Sequence, residues 1–293
     1  MNLSQIELLR ILQETQLNLS KAAEKMHVVQ SAVSRQLQLF EEEIGSPLFE
    51  RSGKKLTALT PLGNRIMIEV ETISQAKLNI QTIAADFLDS NQGTIHIATT
   101  HTQAKYFLPN PIQRFRKKYP GVRIYMVQAS PEQLIQQLHT HKADIAICTE
   151  KVDSDFELVT QQCYQWHHSA VMPKDHPLCT GEITYGRLAS YPILTYSFGF
   201  TGRSNIETAF KKSGCELDII LAAADTDVIK TYVRLGLGVG LIAGMAYDAQ
   251  IDQDLSVRDL SHLIPLSTTK VAYLKQNYLP LYSQHFIEEL MLG

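Results

Sequence analysis

Thr60 and Pro61 open a helix that is too long to disappear into an ordinary small core. A threonine cap followed by proline at the first helical position is a strong start signal. No stop follows until "DSNQG" at 89–93. Between these points, positions 66, 70, 73, 77, 80, 84 and 87 keep a 4-3 spacing. They carry Ile66, Val70, Ile73, Lys77, Ile80, Ala84 and Phe87. Apart from Lys77 this is a coiled-coil seam. Such a stripe either packs on its own module or pairs with a second copy, and between two modules a dimerisation linker is the more economical reading. The helix divides the 293 residues into a front module (1–59), a linker helix and hinge (60–92) and a large back module (93–293). About two domains is also what the length accommodates.

The front module reads as three helices and a hairpin. In "LSQIELLRILQET", Ile6, Leu8, Leu9 and Leu12 recur at helical spacing. "NLSKAAEKM" offers Ser20 as cap and Glu24 in the first turn, while Ala22, Ala23 and Met26 share one face and admit a close neighbour. "QSAVSRQLQLFEEEIG" places Val33, Leu37 and Phe40 inward and leaves Gln30, Ser31, Ser34, Arg35 and Gln38 outside. Two helices in tight succession, the second with a polar outer face, form the helix-turn-helix pattern. Gln and Arg make bidentate contacts to base edges, and Ser donates to bases or phosphate. "LFERSGKKLTALT" then reads as two short strands around Ser52–Gly53, a wing whose Arg51, Lys54 and Lys55 reach the backbone. The net charge of −3 does not exclude DNA, because phosphate contacts are local and depend on charge distribution. The plainer alternative is a small three-helix fold with solvated charges.

The wording of this stretch is informative beyond its pattern. "AAEKMHVVQSAVSRQLQLFEEEIGSPLFERSGKKLTALTPLG" resembles the winged helix-turn-helix of LysR-type transcriptional regulators, and the resemblance spans residues 1–63. It rests on the double alanine, the Q-x-A-V-S-R helix, "LFER" before the wing and "LTPLG" leading into the linker. Val29 stands where the family usually carries Ser or Thr, which leaves Ser31 as the expected replacement cap.

Beyond Gly93 strand-like and helical segments alternate. "TIHIAT", "RIYMVQ", "DIAICT" and "YPILTY" are separated by helical stretches such as "NPIQRFRKKYP" and "SPEQLIQQLHTHK". This α/β order predicts mainly parallel sheets, whose ligands collect beyond the carboxyl ends of strands, where helix N-termini present free N–H groups. "THTQ" at 100–103 sits at such a junction, Thr149 ends the strand "DIAICT" in the same way, and Thr201 precedes a helix between Gly199 and Gly202. Three junctions offer hydroxyls and N–H donors with almost no carboxylate, the composition of an anion seat. Taken singly, each threonine is equally well a helix cap.

Catalytic and metal chemistry are poorly represented. G-x-S-x-G, H-E-x-x-H and the P-loop are missing. "GVGLIA" from Gly238 matches G-x-G-x-x-A but runs from a helix into a strand, the reverse of a dinucleotide fold. Asp225 and Asp227 head a helix, where capping accounts for them. Four scattered cysteines give neither a zinc module nor a disulfide framework. His139, His141, His167 and His168 read as surface or packing histidines rather than ligands. No catalytic residue, metal or cofactor is expected. "MNLSQIELLRIL" lacks the features of an export signal, and "LGLGVGLIAGMAY" is shorter than the roughly 20 residues of a bilayer span. A cytoplasmic protein without membrane contact is expected.

"IATTHTQAKYFLP", "TYSFGFTGRS" and "DVIKTYVRLGLGVGLIA", with "CYQW" at 163–166 and "STTKVAYLK" at 267–275, resemble the CysB-type branch of the LysR-type family, regulators of cysteine synthesis and sulfur assimilation that include Cbl. The similarity covers nearly the whole chain. It implies a two-lobed, periplasmic-binding-protein-like effector domain, with lobe I about 93–161 plus 267–293 and lobe II about 162–266. It also implies a homotetramer (a dimer of dimers) acting on promoter DNA as an activator, and a small anionic effector of the acetylserine, adenosine phosphosulfate, sulfate or thiosulfate class. The family's anion-site residues carry over to Thr100, Thr102, Gln103, Thr149 and Thr201; His101 and Gly202 beside them complete the expected effector site, and a seat of neutral donors makes Arg203 and Lys230 secondary. Ala224 and Thr226 depart from the branch, where Thr and Ala are usual. Competing readings are a LysR-type regulator of another pathway sensing a different anion, a solute-binding protein, which the back module alone suggests, and an enzyme that turns over acetylserine.

Overall fold

The computed structural model describes residues 1–53 and 55–292, so the wing residue Lys54 and the final glycine lie outside the described residues. Two compact units emerge, Met1–Phe87 with Gln276–Tyr278 and the remainder of the chain.

The first unit begins with α1 (Leu3–Glu14), α2 (Leu19–Lys25) and α3 (Gln30–Ile44). Asn2 and Gln5 start α1 with a reciprocal capping box. Leu8, Leu9 and Leu12 of α1 meet Val33, Leu37 and Phe40 of α3 in one buried cluster, which Ala22 and Ala23 enter without holding the helices apart. Each such side chain contributes about 1.5–3 kcal/mol through burial. Two expected caps are corrected. Asn18, not Ser20, heads α2, its carboxamide accepting from Ser20 N and Lys21 N at 3.1 Å each. The helix thus starts earlier, and Glu24 falls in its last turn. Val29 occupies the cap position of α3 without a side-chain bond, and Ser31 lies inside the helix. The first N–H groups of α3 are therefore uncapped by side chains.

β1 (Phe49–Ser52) and β2 (Lys55–Leu59) pair antiparallel as the wing. Thr60 then caps the 28-residue α4 (Pro61–Leu88), accepting from Gly63 N at 2.9 Å. A Cβ on Gly63 would stand 2.1 Å from the Leu48 carbonyl oxygen, so only glycine lets the helix leave the wing this closely. That close start divides the expected seam. Val70 is buried, and Ile66 and Ile73 pack on the first unit's own core. Lys77 pairs with Glu7 at 2.7 Å. Only beyond it is the stripe open, with Ile80 68% and Phe87 90% exposed.

The second unit contains two five-stranded sheets. Its chain order is β3 (Gly93–Thr99), α5 (Pro109–Lys118), β4 (Val122–Gln128), α6 (Pro131–His139), β5 (Ile145–Cys148), β6 (Leu158–Trp166) and β7 (His168–Pro173). α7 (Tyr185–Ala189), β8 (Ile193–Tyr196), α8 (Thr201–Ser213), β9 (Ile219–Ala223) and α9 (Thr226–Arg234) follow. β10 (Val239–Ala243), β11 (Leu255–Asp259), β12 (Ser267–Leu274) and α10 (Leu281–Met291) complete it. One sheet runs β4-β3-β5-β12-β6 and the other β11-β7-β10-β8-β9. β3 is parallel to β4 and β5, and β8 is parallel to β9 and β10, while β12 and β7 return antiparallel. The chain crosses between the sheets at residue 167, later than the 161 expected from the sequence, because β6 stays paired with β12 through Trp166. It crosses back before Ser267. "VGLIA" is itself β10, preceded by α9, which removes the dinucleotide reading.

Candidate functional site

Two surfaces carry the residues singled out by the sequence. On α3, Gln30, Ser31, Arg35 and Gln38 are exposed and Ser34 is half-buried, opposite the apolar face formed by Val33, Leu37 and Phe40. Gln38 Nε2 donates to Glu42 at 2.8 Å, and Arg51 is drawn to Glu41 at 2.7 Å. Glu41 also accepts from Leu48 N at 2.8 Å, so it fastens the end of α3 to the wing. Lys55 is exposed at the start of β2.

In the second unit, Thr100, Thr102, Gln103, Thr149, Thr201 and Gly202 line one open cavity. His101, which sits among them in sequence, is not part of that lining. The other walls are Trp166, Tyr196, Phe200 and Ala243, none of which the sequence singled out. Trp166 arrives at the end of β6, Tyr196 at the end of β8 and Ala243 at the end of β10, all from strands remote in sequence. The only cue to Tyr196 and Phe200 was their place in "TYSFGFTGRS".

The hydroxyls connect the two sheets. Thr149 Oγ1 donates to Thr201 Oγ1 at 2.5 Å, and the Thr102 and Thr226 hydroxyls meet at 3.1 Å. Gln103 Nε2 donates to Thr269 at 3.0 Å, while its carbonyl oxygen accepts from Tyr164 at 2.6 Å. Trp166 Nε1 also donates to Thr269, at 3.2 Å. Thr102 and Thr149 hold the cap positions of the short helices that follow them, but neither hydroxyl makes a capping hydrogen bond, and Phe200 rather than Thr201 holds the cap position of α8. Burial pushes the pKa of the Tyr164 and Tyr196 phenols above the ordinary value, so both stay protonated.

Among the described residues, no charged side chain lines the cavity. Lys230 is buried and spends its ammonium on Asp252 at 2.8 Å, the Ala246 carbonyl at 2.9 Å and Tyr106 OH at 3.1 Å. Arg203 is held by Glu207 at 2.7 Å and the Tyr196 carbonyl at 3.2 Å. Asp225 caps α9 by accepting from Asp227 N, and Asp227 receives Lys105 and Tyr106. Elsewhere, His139 meets Asp155 through Nε2 at 2.6 Å and Glu157 through Nδ1 at 3.4 Å. Each of the three offers one ligand atom within 4.8 Å of the others, on a partly exposed surface away from the cavity. The cavity offers neutral donors and an apolar wall, an arrangement that binds rather than reacts.

Comparison with known proteins agrees with this division. Residues 3–64 match the bacterial regulatory helix-turn-helix protein, lysR family, and residues 88–291 match the LysR substrate binding domain. The transcriptional regulator SsuR of Burkholderia cenocepacia is 42% identical over 289 residues, 98% of this chain and 94% of that protein. The transcriptional regulator CysB of the same organism is 40% identical over 291 residues, 99% of this chain and 93% of its own. The crystal structure of the cofactor-binding domain of the Cbl transcriptional regulator is 40% identical. It superposes with a TM-score of 0.67, covering 69% of this chain and 89% of that one. These relatives are regulators rather than enzymes, and the chain belongs to the LysR family of transcriptional regulators, in the branch that holds SsuR, CysB and Cbl.

Proposed function

We propose that this regulator controls promoters of sulfur-assimilation and cysteine-biosynthesis genes in the cytoplasm, and that a small anion in the cavity of its second unit sets its activity. The observation that carries the effector reading is the convergence of six polar or small residues from three separate strand-to-helix junctions on one cavity that no carboxylate lines among the described residues. Helix N-termini and hydroxyls bind anions in this way. That the Thr102 and Thr149 hydroxyls do not cap their own helices weakens the alternative that they are mere caps. The resemblance to the CysB-type branch supports acetylserine, adenosine phosphosulfate, sulfate or thiosulfate as the class of effector. DNA is met by Gln30, Ser31, Ser34, Arg35 and Gln38 of α3 and by the wing, with Arg51 and Lys55. α3 enters the major groove with its N-terminal part foremost.

Function follows from a population shift. Thr149–Thr201 and Thr102–Thr226 bridge the two sheets, so an anion that inserts among them favours one inter-sheet spacing over another. In a tetramer built as a dimer of dimers, that changes which half-sites the winged modules span. A thermal-shift panel of the four candidate compounds tests the class, because a ligand of the folded state at one hundred times its Kd stabilises by about 2.7 kcal/mol. A shift with one or more of these anions, and none with chloride at equal ionic strength, is expected. No shift with any of them refutes the sulfur-anion reading.

A further inference from the structure

Directly behind the cavity lies an imidazole with no assigned task. His168 opens β7, is fully buried, and neither ring nitrogen has a hydrogen-bond partner of good geometry among the described residues, the Gly202 backbone being the one polar group that influences it as a weak acceptor. Leaving a buried polar group unpaired costs about 1–3 kcal/mol, so such groups are uncommon and call for a reason. The ring sits between two residues that line the cavity. Trp166 is 4.8 Å away between ring centroids, and a Cβ on Gly202 would come within 3.4 Å of His168 Nε2. One glycine therefore separates the imidazole from the cavity, and a side chain there would close the approach.

Few charges surround it. His167, next in the chain, is half-exposed and lies 3.8 Å from Asp259 of β11. Tyr196 of β8 shares the contact with Gly202, and β10 presents only Ala243 opposite His168. On α8, Arg203 is already committed to Glu207 and to the Tyr196 carbonyl. Burial pushes the His168 imidazole down to about 4, the Gly202 backbone opposes this, and His167 adds to the depression. At neutral pH the ring is uncharged, and among the described residues no cation lines the cavity to answer a doubly charged ligand.

We propose that His168 makes the cavity selective for dianions, by taking one proton from solvent when a dianion occupies the seat formed with Thr100, Thr149, Thr201 and Gly202. Opposite charge at short range in a poorly solvated interior favours imidazolium, whereas a neutral or zwitterionic ligand gives no such return. The inference rests on the anion seat proposed above. Its sign follows from linkage. The bound state holds more protons than the free state, so affinity for a dianion is flat above the bound-state value of His168. It rises as pH falls below that value and levels off near 4, where the free protein is itself protonated.

Sulfate is the probe, because it remains a dianion throughout the range and contributes no titration of its own. Calorimetry on the full chain near pH 5, in two buffers of different ionisation enthalpy, is expected to show uptake of close to one proton. Affinity near pH 5 should exceed that near pH 7.5 by about tenfold. Trp166 is the only tryptophan in the chain, and an adjacent imidazolium quenches indole. Its fluorescence should therefore report a titration midpoint that saturating sulfate moves up by about two pH units. His168→Gln should bind sulfate with pH-independent affinity and no proton uptake, and His168→Asn should do the same. His167→Gln should behave as the parent. If sulfate binds without proton uptake, or the His168 variants keep the pH slope, the proton coupling is wrong while the seat stands. If the parent fails to bind sulfate at any pH, both the seat and the coupling fall. Should the variants not fold, an unmoved Trp166 midpoint in the parent is sufficient to refute the coupling.

Discussion

Lys230→Met separates a structural cation from a ligand-binding one. Lys230 is a buried cation tied to the cavity's surroundings, since Tyr106 and Asp227 join it to the short helix that carries Gln103. Its side chain is 3% exposed and that of Asp252 is 1% exposed, and they meet at 2.8 Å. Breaking a buried pair by removing one partner typically costs about 3–5 kcal/mol. Here the loss should sit near the lower end, because Asp252 keeps Arg234 at 2.6 Å and the Asp248 N–H at 3.0 Å. Methionine also retains much of the aliphatic volume. With about 2–4 °C of Tm per kcal/mol in a domain of this size, a drop of roughly 6–12 °C is expected. Burial pushes the Asp252 carboxyl up, but the Asp248 N–H, Lys230 and Arg234 together hold it below its ordinary value. The stabilisation is therefore present above the ordinary aspartate range and is lost as pH falls through the lowered one, so parent and variant should converge in acid. Calorimetry at a temperature where both are folded should give equal sulfate affinities. An unchanged Tm would contradict the structural role, and a normal Tm with sulfate binding abolished would show that Lys230 serves the ligand.

Three further outcomes follow from the other surfaces. Arg35→Ala should relax sequence preference by about 1–3 kcal/mol if its guanidinium makes a bidentate base contact, read by competition between specific and random duplexes. Lys55→Ala should weaken binding to all duplexes alike and flatten the salt slope by about one unit; equal behaviour of the two variants would remove the groove assignment. Ile80→Asp should shift light-scattering mass downward with little change in Tm, whereas Ile73→Asp should lower stability by about 2 kcal/mol or more through lost packing, seen as a lower Tm, because Ile73 packs on the first unit's core. Intact oligomers for Ile80→Asp would mean that the open end of α4 does not mediate assembly.

What the sequence made legible follows the physics of local pattern. The helix-turn-helix was readable because Val33, Leu37 and Phe40 recur with helical period and because the polar face between them has few other uses. The cavity was readable in half: hydroxyls at strand ends reveal themselves in "THTQ" and "FGFTG", and they do meet. The apolar half was not, since Trp166 and Ala243 reach the cavity only through the pairing of β6 with β12 and of β10 with β7, and no local signal encodes that pairing. His168 was read as an ordinary packing histidine, because nothing in "QWHHSA" reveals which of two adjacent rings is buried without a partner of good geometry. The α4 stripe misled in part, because a 4-3 spacing cannot distinguish an intramolecular core from an intermolecular seam. The close contact of Gly63 with Leu48, a tertiary event, decides it. At Asn18 a residue just outside the expected helix took the capping role, a matter of one or two residues that pattern seldom fixes.

The central claim is that an anion among neutral hydroxyls governs DNA binding, and it is tested most directly by fluorescence anisotropy on a labelled promoter duplex. The full chain would be compared with the Thr100→Val/Thr149→Val variant, with and without sulfate or thiosulfate. Valine keeps the shape and removes the hydroxyls, and each neutral hydrogen bond lost contributes about 0.5–1.5 kcal/mol, so anion affinity should fall by roughly ten- to a hundredfold. The account predicts that at least one anion changes the parent's affinity or stoichiometry on DNA. The variant should bind DNA as the effector-free parent does and ignore the anion until its concentration is raised in that proportion. An equal anion response in parent and variant, at equal concentrations, would contradict it.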